Sequence, residues 1–265
     1  MCKFETIASP ERGDSSFMTL HRLQFSRQGQ SWSMNTDEAE HVLDIFSGTC
    51  QIRGCSRANE DFDFHPVGSR ENIFAGPPDL VYLPRRTSYE ISCMQGPCEM
   101  VIYSAPTDED SHPTLVSSKA VKYVDAGNLD WSRRVYIGLG EASPTTRMMV
   151  GETHSPPGNW SSFPPHRHQK DRPPDELALE ELYYFKFDRK QGFAIGGVYQ
   201  DPQSAKDTME LKTIGDGEIF DVSGGYHFIA PCPAYRLSYS WALGGKQKGF
   251  GSWVNDPNHA WIAEL

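Results

Sequence analysis

Two histidines one residue apart, in Pro164-Pro165-His166-Arg167-His168, are the residues of this chain best placed to do chemistry together. In an extended segment side chains i and i+2 share a face. Both imidazoles can therefore turn into one barrel and hold one metal ion. Downstream, Leu179-Glu180-Glu181-Leu182-Tyr183-Tyr184-Phe185 opens an aromatic strand with two carboxylates. A carboxylate leading a largely apolar strand needs a partner, because burying it unpaired is costly. A metal supplies one; solvation at the strand mouth, where Glu180 is expected, supplies the other. Later, Gly224-Gly225-Tyr226-His227 sets a histidine just after a glycine turn. Two histidines on one strand, a glutamate on the next and a distant histidine make a three-His, one-carboxylate set. Such a set suits Zn, Mn, Fe or Ni and leaves positions open for substrate.

The elements that must position these side chains read as strands. Val42-Leu43-Asp44-Ile45-Phe46, Ser47-Gly48 and Cys50-Gln51-Ile52 form strand, turn and strand, and the grammar repeats at Leu80–Leu83, Tyr89–Ser92 and Met100–Tyr103. No stretch carries a long 3.6-residue apolar period, so the expectation is all-β, sandwich or barrel. The 23 glycines and 19 prolines are scattered among aromatics, as turns between short strands would be. Residues 1–18 are polar and read as a loose N-terminal segment. Residues 19–118 form one β-unit, with a polar crossing at 104–117, and residues 119–265 form a second. The units resemble a diverged duplication: Asp79–Ser88 can be laid over Glu218–His227, with Ser88 standing where the second half has His227.

The chain has 265 residues and a formal charge of −10. No apolar run approaches the ~18–20 residues of a membrane helix, so no membrane span is expected. An acidic chain without a basic stripe makes a poor nucleic-acid binder. Met1-Cys2-Lys3-Phe4-Glu5-Thr6 lacks the character of a secretory signal, which points to the cytoplasm and to reduced thiols. Two cysteine pairs, Cys50 with Cys55 and Cys93 with Cys98, share C-x4-C spacing. They read as buried thiols near strand ends rather than as a zinc site. Edge strands invite pairing, so a homo-oligomer is one outcome the sheets allow.

The chain resembles the 5-deoxyglucuronate isomerase family of inositol breakdown, related to uronate ketol-isomerases and part of the cupin superfamily. The resemblance is carried by Gly158-Asn159-Trp160-Ser161-Ser162-Phe163-Pro164-Pro165-His166-Arg167-His168, by Pro173–Tyr184, by Gly225-Tyr226-His227 and by Asp256–Trp261. In the first half it rests on Gly68-Ser69-Arg70, Phe74–Pro78 and Tyr82-Leu83-Pro84. It implies two tandem cupin (jelly-roll-like) barrels, a bicupin, with metal only in the second. It also implies the ligand set His166, His168, Glu181 and His227. The implied reaction converts an aldehyde acid to a ketone acid, taking 5-deoxy-glucuronate to 5-dehydro-2-deoxy-gluconate. Other readings of the same ligands are an iron-dependent dioxygenase and a sugar-acid-binding cupin.

Alternation from the ligands puts Ser162 on the His166 face and Tyr183 on the Glu181 face, and Tyr199 is a further lining candidate. A substrate carboxylate favours an arginine fork, for which Arg147 and Arg236 are the candidates. No residue is assigned as the general base. Four positions depart from the family pattern: Gly196 and Gly197 replace Gln-Arg, Phe228 replaces a proline, and Trp241 replaces an asparagine. A pocket of altered volume and hydrogen bonding is expected from them.

Overall fold

The computed structural model describes residues 2–57 and 60–265. The chain forms two units, residues 1–122 with 136–151 and residues 123–135 with 152–265. Among the described residues no helix is long and apolar enough to cross a membrane.

The first unit is built on two long strands, Ala39–Cys55 and Ser88–Pro106, paired antiparallel. Register shifts near Ser47, Thr49 and Cys50 interrupt the pairing. Each shift is a place where a long ribbon bends and strengthens its twist, so two strands can serve the whole wrap of a barrel. Gly48 sits at this bend with φ +80, and a Cβ there would lie 2.5–2.8 Å from Cys98 and from the Pro97 and Gln95 carbonyls. In the sheet order, Cys2–Ala8 and Thr19–Phe25 flank Ser88–Pro106, and Asp79–Leu83 and Thr114–Val116 flank Ala39–Cys55. Leu23, Phe25, Leu43, Ile45, Val81, Ile91, Met100 and Ile102 fill the interior. Each such side chain contributes about 1.5–3 kcal/mol by leaving water.

Two expectations are corrected here. Residues 2–8 are not a loose segment: Cys2–Ala8 pairs with Thr19–Phe25. Phe4 stacks between His21 and Trp32, with ring centroids 4.9 and 4.8 Å away. Residues 136–151 belong to the first unit rather than to the second. The buried Glu40 carboxylate holds them there, accepting from the backbone N–H groups of Thr146, Arg147 and Met148 at 2.6, 2.8 and 2.9 Å. Of the four C-x4-C cysteines read as buried thiols, Cys55 is only part-buried. Cys50, Cys93 and Cys98 are buried in this core as free thiols, and burial pushes Cys50 up to about 12.

Burial also lowers two histidines of this unit, His21 to about 4 and His41 to about 3; His41 bonds the Tyr89 hydroxyl at 2.8 Å. In the unfolded chain each takes up a proton near pH 6.5, while in the fold each stays neutral to far lower pH. The unfolded state thus binds more protons in that window, and stability falls as pH drops. The expected slope is up to about 1.4 kcal/mol per pH unit per histidine below pH 6.5. Urea midpoints measured from pH 7.5 to 4.5 check it, and His41→Gln should flatten the curve.

Two further sheets follow. In one, Ile219–Val222, Leu179–Phe187, Leu237–Gly245, Met148–Ser155, Arg133–Leu139 and Lys122–Ala126 are neighbours in that order. In the other the order is Glu210–Gly215, Phe193–Tyr199, Tyr226–Pro231, Ser161–Arg167 and Val254–Asn255. Period-2 alternation sets one face of each sheet inward. Register places Glu181 opposite Leu243 and Tyr183 opposite Trp241, so these four share a face.

Candidate metal centre

His166, His168, Glu181 and His227 offer ligand atoms that all lie within 4.8 Å of one another, the one such group among the described residues. Strand register brings them together. His166 stands directly opposite His227, while Glu181 comes from the facing sheet. His168 lies one residue past the end of Ser161–Arg167, held by reciprocal bonds with Leu179. The Leu179 N–H donates to the His168 carbonyl at 3.0 Å, and His168 Nδ1 reaches the Leu179 carbonyl at 2.7 Å.

The three rings share a device. Nδ1 of His166 faces the Pro164 carbonyl at 3.1 Å, and Nδ1 of His227 faces the Gly225 carbonyl at 3.4 Å. With His168 on Leu179, every Nδ1 donates to a main-chain oxygen. That places a proton on each Nδ1 and turns Nε2 toward the centre. On His168 and His227, Nε2 there faces the Glu181 carboxylate as a donor while protonated and becomes a ligand atom once that proton is gone. Glu181 Oε2 meets Nε2 of His168 at 3.0 Å and of His227 at 3.3 Å. Burial drives His166 well below its ordinary range and also lowers His227. Burial pulls His168 down too, but the Glu181 hydrogen bond and charge outweigh it, and the net shift is upward. Burial would raise Glu181; the two histidine hydrogen bonds override it and hold the carboxyl ionised. Imidazoles with outward-pinned Nδ1 protons, converging on an ionised carboxylate, are a donor set that fits a divalent ion.

The centre opens into a cavity of about 230 Å³ lined by Arg133, Thr153, Ser162, His166, His168, Glu181, Tyr239, Trp241, Phe250 and Trp253, with aliphatic Val124, Ala126, Val135 and Leu243. The volume is below the ~300–1,000 Å³ of sites for drug-sized ligands, so the occupant is small. Aromatic rings run in sequence along its wall: Trp241 and Phe250 at 6.0 Å between centroids, Phe250 and Trp253 at 5.4 Å, Trp253 and His166 at 5.3 Å.

The substrate-side expectations divide. Ser162 lines the cavity, and its hydroxyl bonds Tyr183 at 2.9 Å, whose own hydroxyl reaches His227 Nε2 at 3.2 Å. Ser162 holds φ +49, a backbone strain that surrounding structure must over-determine. Tyr199 is not among the lining residues; it stacks on Tyr226 at 5.6 Å and donates to Asp256. Neither proposed arginine lines the cavity. Arg147 pairs with Asp108 and Glu109, and Arg236 bonds Asp188. The arginine that does line it, Arg133, was missed. Arg133 and Val135 alternate onto the cavity face while Arg134 points to Asp125, and that alternation was the available signal. Of the four departures, only Trp241 touches the cavity.

Glu176, buried between the two ligand-bearing segments, braces the centre. It accepts from Arg167 Nε at 3.1 Å, from the N–H groups of Gln169 and Lys170 at 3.1 and 3.2 Å, and from Arg172 at 3.0 Å. Arg167 in turn lies over the Tyr226 ring at 4.9 Å. One carboxylate thus ties the residue between His166 and His168 to the residue before His227. Glu176→Gln should weaken divalent-ion affinity about 10–100-fold, the usual cost of losing an outer support of metal ligands. A competition titration against a chromophoric chelator checks this.

The KduI/IolB family model matches residues 6–262. Curated relatives include the 5-deoxy-glucuronate isomerase of Geobacillus kaustophilus, 33% identical over 240 residues, 89% of this chain and 83% of that protein. The 5-deoxy-glucuronate isomerase of Bacillus subtilis is 32% identical over 89% of this chain and 84% of its own length. Among solved structures, an IolB-like protein of Salmonella typhimurium superposes with TM-score 0.88 at 26% identity, covering 97% of this chain and 94% of that one. Oxalate decarboxylase of Lactobacillus farciminis superposes with TM-score 0.70 at 11% identity over 100% and 86%, a likeness of bicupin fold alone.

Proposed function

Because this chain belongs to the KduI/IolB family, we propose that it is a metal-dependent isomerase that converts 5-deoxy-glucuronate to 5-dehydro-2-deoxy-gluconate. The observation that carries this reading is the four-donor centre opening into a small cavity, in a chain about one-third identical to relatives named 5-deoxy-glucuronate isomerase. His166, His168, Glu181 and His227 would hold the ion. A divalent ion there supplies Lewis acidity to the carbonyl and neighbouring hydroxyl oxygens of an α-hydroxy aldehyde, where charge develops during isomerisation.

The chain's own groups do the rest. Thr153, Ser162 and Tyr239 present hydroxyls to the cavity as partners for sugar hydroxyls. Burial and the nearby Glu181 charge keep the Tyr183 phenol protonated, so it orients Ser162 and His227 by hydrogen bonding and does not serve as a base. Trp241, Phe250 and Trp253 shield the reacting carbons from water, which strengthens every polar contact inside.

Proton NMR of 5-deoxy-glucuronate with the metal-loaded protein tests the reading. Loss of the aldehyde-hydrate signal with growth of ketone, stopped by a chelator and restored by a divalent ion, is the expected result. An unchanged spectrum, or consumption of dioxygen in step with substrate, overturns it.

A further inference from the structure

We propose that Arg133 is the subsite for the substrate's carboxylate, in the same cavity that holds the His166, His168 and Glu181 side chains. The proposal rests on reading the substrate as a sugar acid.

Arg133 sits at the start of the strand Arg133–Leu139 and reaches the cavity beside Val135. Its guanidinium is fixed by the main chain: one Nη donates to the Trp131 carbonyl at 3.1 Å, the other to the Phe163 carbonyl at 3.3 Å. A guanidinium carries five N–H donors, so these two bonds aim the group and leave donors over. Among the described residues no carboxylate pairs with it. Its neighbours differ in this respect. Arg134 forks onto Asp125 at 2.7 and 2.9 Å, Arg167 and Arg172 share Glu176, and Arg236 has Asp188.

A guanidinium placed in a cavity without a paired carboxylate is costly. Burial accordingly pulls its pKa downward. A ligand carboxylate supplies the missing charge, and the planar fork suits it in two parallel bonds. In an aldehyde acid the carboxylate and the reacting carbonyl lie at opposite ends of the carbon chain. A cavity with a metal-ligand set and a separate guanidinium matches that separation of functions. Val124, Ala126, Val135, Leu243 and Trp241 line the same cavity and carry no charge; its one carboxylate, Glu181, belongs to the donor cluster.

The test uses the full-length, metal-loaded protein and the variants Arg133→Met and Arg133→Lys. For 5-deoxy-glucuronate, Arg133→Met should raise KM about 100-fold, the size of a lost charge-assisted pair, with kcat within a few-fold of the parent. Arg133→Lys, which keeps the charge but not the fork, should raise KM about 10-fold. The neutral analogue with CH2OH in place of the carboxylate should be turned over with equal kcat/KM by parent and Arg133→Met. Calorimetric binding of D-gluconate, a carboxylate that has no aldehyde to isomerise, reads the subsite without turnover and should weaken in the same order. If the parent does not isomerise 5-deoxy-glucuronate yet D-gluconate binding still depends on Arg133, the isomerase reading falls and the subsite stands. Equal D-gluconate affinity in parent and Arg133→Lys overturns the subsite, even where Arg133→Met fails to fold.

Discussion

His168→Ala should leave the protein without stoichiometric metal and lower kcat/KM by at least about 1,000-fold. Two losses combine. The first is one of the four donors proposed to hold the ion. The second is the partner of a buried carboxylate: Glu181 is 8% exposed and keeps its charge through His168 and His227. Breaking a buried pair of this kind by removing one member costs about 3–5 kcal/mol. The variant should therefore melt lower than the metal-free parent as well as lose its ion. His168→Ala that retains one metal per chain by elemental analysis, with parental kcat/KM, would falsify the assignment of this centre.

Restoring the family's Gln-Arg pair at Gly196 and Gly197 should destabilise the fold by about 2–6 kcal/mol, two overpacking changes of about 1–3 kcal/mol each. A Cβ on Gly197 would fall 2.4 Å from the Phe228 ring, and one on Gly196 would fall 2.8–2.9 Å from Phe220 and Ile214. Gly197 stands directly opposite Phe228 in register, and Phe228 is braced by a stack on Trp160 at 5.3 Å. The Phe228 and Gly197 departures are thus coupled: the ring fills the space a side chain at 197 would need across the strand pair. Trimming Phe228 to alanine should recover part of the loss caused by Gly197→Arg. Urea unfolding of the two single variants and the double variant measures that coupling. Strict additivity would refute the packing explanation.

The clustering of His166, His168, Glu181 and His227 was legible because its signal is local. His166 and His168 share one strand face, Glu181 opens a strand, and His227 follows a glycine turn; each carries its chemistry in a few neighbouring residues. Long-range partners hid the rest. The sequence pointed to Arg147 and Arg236 and passed over Arg133; the partners Asp108, Glu109 and Asp188, which occupy the first two, are distant in the chain or unmarked by any motif. The all-β class followed from strand–turn grammar, and the two cupin barrels from the family resemblance. The placement of residues 136–151 did not, since it depends on Glu40, more than 100 positions away. Cys2–Ala8 looked loose because a short polar strand has little apolar periodicity of its own; its order comes from pairing with Thr19–Phe25.

The three imidazoles are set by the carbonyls of Pro164, Leu179 and Gly225 rather than by side chains. Peptide groups are the same whatever residue bears them. The donor cluster is therefore insulated from much of the side-chain variation around it, and under the function proposed above the wall can be recut at Trp241 or Arg133 for acids of different shape without retuning the tautomers. A scaffold organised this way separates what is reacted from how it is recognised.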